Sequence, residues 1–193
     1  MHLSVITATC QRPAQLALTL QQFRSQSLGN LQVEQIVVSD GRDDEARFLA
    51  NRWNARFFEL NERCGHAGAF AKDLGIRHAV GEYVCFWDDD NYYEPHALAT
   101  LYAIAFGSDI GVARTVHRFR KRIGLVTIPR RWTGTFHRGD VDTMCICVKR
   151  SLALREPWGD GCSRPGTDFR WLKKLERHQP TVRYAPIVIG HHL

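Results

Sequence analysis

The chain holds 193 residues, 44% hydrophobic and 24% charged, with a net charge of +6; this balance fits one globular domain burying about 70% of its unfolded surface and excludes a disordered tail or a disulfide-stapled miniature. The longest run free of charge and turn residues, Ala97 to Phe106, spans ten positions, short of the roughly 20 needed to cross a bilayer, and the N-terminus lacks a basic start followed by a long apolar core, so a cytoplasmic protein without a membrane span is expected. The basic excess is local: Arg114, Arg118, Arg120, Lys121, Arg122, Arg130, Arg131 and Arg138 stand between Ile110 and Gly139 with no acid among them, which suits a local anionic partner rather than nucleic acid.

Taken in chain order, short β-branched runs alternate with helix-period segments, the rhythm of βαβ units. Strands are expected at Leu3 to Ala8, Gln35 to Ser39, Ala55 to Leu60 and Tyr83 to Trp87. All but the third are continuous enough in apolar residues to be covered on both faces. Pro13 opens a helix whose Leu16, Leu20 and Phe23 share one face. Further helices are expected at Asp43 to Trp53, Ala67 to Ala79 and Glu94 to Phe106. Beyond Asp109 the pattern turns mixed, with strands at Val112 to Val116, Ile123 to Ile128 and Val141 to Val148, a helix from Thr167 to Arg177, and a last strand at Val182 to Ile189. One domain, 1–193, thus divides into a parallel α/β half (1–107) and a mixed half (108–193).

The six cysteines, Cys10, Cys64, Cys85, Cys145, Cys147 and Cys162, form no Cys-x-x-Cys pair and read as reduced thiols. Cys145 and Cys147, two apart in a strand-like run, are expected on one face.

In open parallel sheets, ligands bind beyond the carboxyl ends of strands. Three such ends are polar here: Thr7 to Arg12, Ser39 to Asp44, and Asp88-Asp89-Asp90-Asn91. Three consecutive aspartates in a partly dry crevice need cationic compensation. Mg²⁺ or Mn²⁺, which take hard oxygen ligands and complete their shells with phosphates, is one answer; the alternative is a solvated turn in which Asp90 or Asn91 caps the next helix. Glycine-rich dinucleotide and P-loop signatures are absent.

The order Ser4-Val5-Ile6-Thr7-Ala8-Thr9 through Arg12-Pro13, then Ile36-Val37-Val38-Ser39-Asp40-Gly41, then Gly65 through Ala71-Lys72-Asp73-Leu74-Gly75-Ile76, then Gly81 through Trp87-Asp88-Asp89-Asp90 resembles the family 2 glycosyltransferases. It resumes at Gly166-Thr167-Asp168-Phe169. The resemblance implies a GT-A fold, a three-layer α/β/α sandwich, and transfer of a sugar from a nucleotide-sugar, most simply a UDP-sugar, to an acceptor hydroxyl. It implies that Thr7, Thr9 and Arg12 line the nucleotide pocket, that Asp40 accepts from the uracil imide, and that Lys72 stands where the family has a nucleotide-contacting arginine. Asp88 and Asp89 would face the nucleotide-sugar and Asp90 the metal, Mn²⁺ or Mg²⁺. Asp168 falls at the family's catalytic carboxylate, a general base whose direct displacement inverts the anomeric centre; its alternative role is a charge favoured by a helix N-terminus. The family often adds a late histidine to the metal. Adjacent strand residues face opposite sides, so only one of His191 and His192 can ligate, and His191 is the expected one.

Trp53, Trp87 and Phe57-Phe58 read as core, whereas Trp132 and Trp158, in polar loops, are candidates to stack on a sugar ring. His66 is either a diphosphate contact or a solvated loop residue. Two other functions compete: a nucleotidyltransferase acting on a sugar phosphate, against which the absence of a lysine-containing glycine-rich first loop speaks, and a non-catalytic module gripping an anionic surface through 114–138. Within the transferase reading, that basic segment faces an acceptor that is anionic or lipid-linked.

Overall fold

Strand β1 (Leu3–Thr9) is buried at every position, as its unbroken run of apolar and small residues requires of a strand covered on both faces. The computed structural model describes residues 1–118, 124–159 and 166–192. In chain order there follow α1 (Pro13–Arg24), β2 (Val33–Ser39), α2 (Asp44–Arg52), β3 (Arg56–Glu59), α3 (Ala69–His78) and β4 (Tyr83–Phe86). Then come β5 (Asn91–Tyr93), α4 (Ala97–Ala105), β6 (Ile110–His117), β7 (Val126–Ile128), β8 (Ile146–Lys149), α5 (Arg150–Ala153), α6 (Thr167–Glu176) and β9 (Val182–His192).

Among the described residues these strands form one sheet in the order β3-β2-β1-β4-β8-β6-β9-β5, with β7 paired to β6. From β3 to β4 the pairing is parallel; β8 enters antiparallel to β4 and β6, and β9 runs parallel to β6. Helices cover both faces. Ile6, Ile36, Val84 and Phe86 pack with α3 and α6 through Ile76, Trp171 and Leu172. On the opposite face Val5, Cys85 and Trp87 meet Leu98 and Leu101 of α4, and Val37 meets Leu16, Leu20, Ala46 and Ala50 of α1 and α2. The result is the expected three-layer α/β/α sandwich. In α3, Gly75 lets the helix lie directly on β1, since a Cβ there would stand 2.5 Å from Ile6 Cγ2.

Several element boundaries differ from expectation. The segment Asn91–Tyr93, for which no strand was expected, pairs antiparallel with the end of β9; the helix expected from Glu94 begins only at Ala97, so neither Asp90 nor Asn91 caps it. The expected strand Val141 to Val148 is broken by a 3₁₀ turn, Thr143–Cys145, in which Asp142 accepts from the backbone N–H of Met144. That turn puts Cys145 with Trp158 and Trp171 and Cys147 with Trp87, so the two thiols lie on opposite faces, not one. Of the strand expected from Ile123, Val126–Ile128 is formed, and Ile123 lies outside the described residues, as do Arg120, Lys121, Arg122 and Cys162. Strand β9 continues through His191 and His192, which are therefore held in the sheet. It reaches them through two register shifts against β6. From Val112 to Arg114 the partner advances from Tyr184 to Val188, and from Arg114 to Val116 it advances from Val188 to His191.

Candidate active site

The loops after β1, β2 and β4, the turn before β8 and the start of α6 converge on one cavity of about 690 Å³, at the carboxyl ends of the parallel strands where such folds bind ligands. Parallel pairing of Thr9 with Ser39 sets the first two loops side by side, and the Asp40 N–H donates to the Thr9 carbonyl at 2.9 Å. The Asp40 carboxylate accepts from the backbone N–H groups of Cys64 and Gly65, both at 2.7 Å. It thereby fixes the Gly65–Gly68 segment. There φ is positive at four successive residues, 71°, 54°, 52° and 71°, and two of them, His66 and Ala67, carry a Cβ that the left-handed region disfavours. Gly68 is required outright, because a Cβ on it would stand 2.8 Å from that of Ala8.

The aspartate turn is neutralised from within. Arg12 reaches Asp89 at 2.5 Å and Asp90 at 3.0 Å, and Lys72 reaches Asp88 at 2.9 Å. The charge compensation that the sequence demands is thus met by two side chains of the chain itself. Asp89 is buried and also accepts from Thr9 Oγ1 at 2.7 Å. Burial raises its pKa to about 6 against the opposing pull of Thr9 and Arg12. Lys72 is buried with its ammonium 5.1 Å above the Trp158 ring. Burial works against its charge, but Asp88 outweighs it and the pKa rises.

The far wall comes from the second half. Asp168 stands in the first turn of α6, and burial raises its pKa while Lys72 pulls it down. Asp142 sits beside it, raised to about 6 by burial and then by Asp168 and Asp88. Next to Asp142 are His117, at 3.8 Å from Nε2 to Oδ2, and His192, whose ring stacks on that of His117 with centroids 4.6 Å apart. Burial, then the neighbouring His192, lowers His117 to about 4.

Thr9, Arg12, Asp40, Lys72, Asp88, Asp90 and Asp168 therefore border one cavity. Thr7 is fully buried and does not border it, and Asp89 acts through Thr9 and Arg12 rather than from the cavity wall. His191 points to Glu94, 3.4 Å away, and to Tyr92; alternation along β9 gives the cavity to His192 instead. Trp158 is buried, stacked on Trp171 at 4.0 Å, and its backbone N–H donates to Asp73. It borders the cavity but lies between Lys72 and Trp171, so both ring faces already have neighbours. Trp132 packs on Phe136 and Tyr184. His66 borders the cavity. Sequence reasoning missed Asp142, His117 and the structural role of Asp73; no motif marks them, and only the parallel register of β6 with β9, which pairs His117 with His192, brings the two histidines together.

The fold, with its mixed and largely parallel sheet, matches that of GT-A glycosyltransferase structures. Residues 4–142 match the family model for glycosyl transferase family 2, and the chain belongs to that family. No curated protein matches the sequence. Among solved structures, residues 1–349 of TarS from S. aureus superpose with a TM-score of 0.78 at 15% identity, covering 99% of this chain and 60% of that one. The same TarS fragment in complex with UDP-GlcNAc gives 0.79 at 16% identity, covering 99% and 58%. The mannosyltransferase PcManGT from Pyrobaculum calidifontis, in complex with GDP-Man and Mn²⁺, gives 0.71 at 22% identity, covering 97% and 56%. The chain thus spans somewhat over half the length of the TarS fragment and of PcManGT, and 36% of the longer TarS chain. Among the described residues no helix is long and apolar enough to cross a membrane.

Proposed function

We propose that the chain transfers a sugar from a UDP-sugar to an acceptor hydroxyl with inversion, Asp168 serving as general base. The observation that carries this reading is the single cavity in which Asp40, the aspartate turn and Asp168 meet. Each Asp40 oxygen accepts one backbone N–H and keeps a second lone pair, enough to accept from a uracil imide. Arg12 and Lys72 bring donors to the diphosphate side. Asp168, whose pKa burial raises from its ordinary value against the pull of Lys72, is better matched to removing a hydroxyl proton than a solvated carboxylate is. A base on the face opposite the leaving group would give in-line displacement and inversion.

The donor chemistry also suits a divalent cation. Asp90 and His192 border the cavity, and His192 Nδ1 is buried with no hydrogen-bond partner. Asp90 would hold the cation only in competition with Arg12. When bound, Mn²⁺ or Mg²⁺ would offset the charge that develops on the leaving diphosphate. The compound classes bound by TarS and PcManGT support a nucleotide-sugar donor without choosing its base; Asp40 favours uracil.

Calorimetry tests the reading. UDP should bind, more tightly with Mn²⁺, and lose that gain in Asp90→Ala. A screen of UDP-, GDP-, dTDP- and CMP-sugars for slow hydrolysis should single out a UDP-sugar. Turnover of a GDP-sugar alone would overturn the donor assignment, and binding of no nucleotide would overturn the function. For the acceptor, the exposed Arg118 and the basic residues beside it point to an anionic or lipid-linked molecule. Neutralising 118–122 should then lower turnover with acceptor and leave UDP affinity unchanged.

A further inference from the structure

We propose that Asp73 is a positioning residue for transfer: by clamping Trp158 it sets the spacing between the Lys72 ammonium and the helix that carries Asp168. Asp73 itself does not border the cavity. Its two carboxylate oxygens accept from successive backbone N–H groups, that of Trp158 at 2.6 Å and that of Gly159 at 2.7 Å. One charged acceptor on two adjacent donors fixes the direction of the chain there, and such bonds are about twice as strong as neutral ones. Gly159 makes the approach possible, because a Cβ on it would stand 2.8 Å from ring atoms of Phe70.

The other end of the same segment is held by α6. The Glu156 carbonyl accepts from Trp171 Nε1 at 2.9 Å, the Glu156 carboxylate meets His178 at 2.8 Å just beyond the helix, and the Pro157 carbonyl accepts from Lys174. Residues 156–159 are thus a strap tied to α6 at one end and to α3 at the other. Between the two ties stands the Trp158 ring. The Lys72 ammonium lies 5.1 Å from its centroid, and the Trp171 ring stacks on it at 4.0 Å and 18° from parallel; Phe86 meets it edge-on, with centroids 4.4 Å apart. Trp171 follows Asp168 by three residues on α6 and so shares its side of the helix.

The ring is therefore a spacer, with the diphosphate-side cation against one face and the helix of the base against the other. Asp88 takes one of the three ammonium protons; an aromatic face steadies the charge and leaves the remaining protons for a ligand. Charge on the leaving diphosphate develops only as the bond to the sugar breaks, so a displaced ammonium costs more in the transition state than in the bound donor. Use of the clamp in transfer rests on the function proposed above; the hold of Asp73 on Trp158 does not.

Two measurements test it. In ¹H–¹⁵N spectra, Asp73→Ala should shift the indole N–H signals of Trp158 and Trp171 and leave that of Trp53, beyond α2, in place. Hydrolysis of the UDP-sugar retained from the screen, normalised to folded protein, should show kcat lowered roughly ten- to a hundredfold with KM changed by less than about threefold. Asp73→Asn, which keeps one acceptor oxygen, should fall between Asp73→Ala and the parent chain. Trp158→Phe keeps an aromatic spacer and should retain most of kcat, whereas Trp158→Leu should match Asp73→Ala. If Asp73→Ala fails to fold, Asp73→Asn decides by the same two readouts. Unmoved indole signals, an unchanged kcat per folded molecule, or a loss lying wholly in KM would overturn the role. Absence of UDP binding in the parent chain would instead refute the transferase reading and the catalytic use with it, and the indole signals would still decide the clamp.

Discussion

The two halves of the molecule meet at one cavity but treat charge in opposite ways. In the parallel half every acid at the cavity is tied down: Asp88 by Lys72, Asp89 and Asp90 by Arg12, Asp40 by two backbone N–H groups. In the mixed half, burial raises Asp142 to about 6 and raises Asp168 from its ordinary value, as it also raises Asp89, which Arg12 and Thr9 hold in place. The parallel half is thus a preorganised cradle whose shape is set before a ligand arrives. Under the proposed function, the mixed half is where Asp168 takes the acceptor's proton.

The largest effect should come from the mixed half. Asp168→Asn should lower kcat by about 10² to 10⁴ with UDP affinity and melting temperature unchanged, measured by steady-state kinetics with acceptor. A loss of UDP binding instead would move Asp168 into the cradle. In the parallel half the corresponding removal should cost stability. Lys72→Met keeps the stem beneath the charge but strips Asp88 of its partner, and should destabilise the fold by about 2 to 3 kcal/mol, less than a deeply buried pair because Asp88 is 29% exposed. Chemical denaturation measures it.

Glu34 extends the same logic away from the cavity. It accepts from Ser4 on β1, from the Val80 N–H before β4 and from Arg56 on β3, joining β2 to its two neighbouring strands and to the turn before β4. Burial opposes its charge, but the hydrogen bonds from Ser4 and Val80, with Arg56, bring its pKa below the ordinary 4.5. The unfolded chain therefore takes up this proton first as pH falls, so the stabilisation is complete above about 4.5 and drains away as pH drops through the folded value. Glu34→Gln should cost about 1 to 2 kcal/mol at neutral pH and flatten that acid limb in melting curves recorded between pH 3 and 7. The smallest effect should be a gain. Ala67, at φ 52°, is disfavoured by about 1 kcal/mol, so Ala67→Gly should raise stability by at most that amount, offset in part by glycine's greater unfolded freedom.

The parallel half was largely legible from sequence because its signals are local. Continuous apolar runs gave β1, β2 and β4, the spacing of Leu16, Leu20 and Phe23 gave the buried face of α1, and polar strand ends placed Thr9, Asp40 and Asp88 together. What was not legible depends on pairing between distant segments. Asn91–Tyr93 has no strand signal beyond its contact with β9. Trp158 looks like a loop residue until Asp73, 85 positions earlier, accepts its N–H. Alternation says only that one of His191 and His192 faces the cavity; which one depends on a register that sequence does not encode locally.

That register also decides which imidazole the cavity receives. Between Arg114 and Val116 the facing strand inserts an odd residue, and a bulge of this kind inverts which side chains look inward. His192 faces the cavity because it is the ladder partner of His117, so a slip of β9 by one residue against β6 would leave the sheet order intact while turning His192 outward and presenting a neighbour in its place.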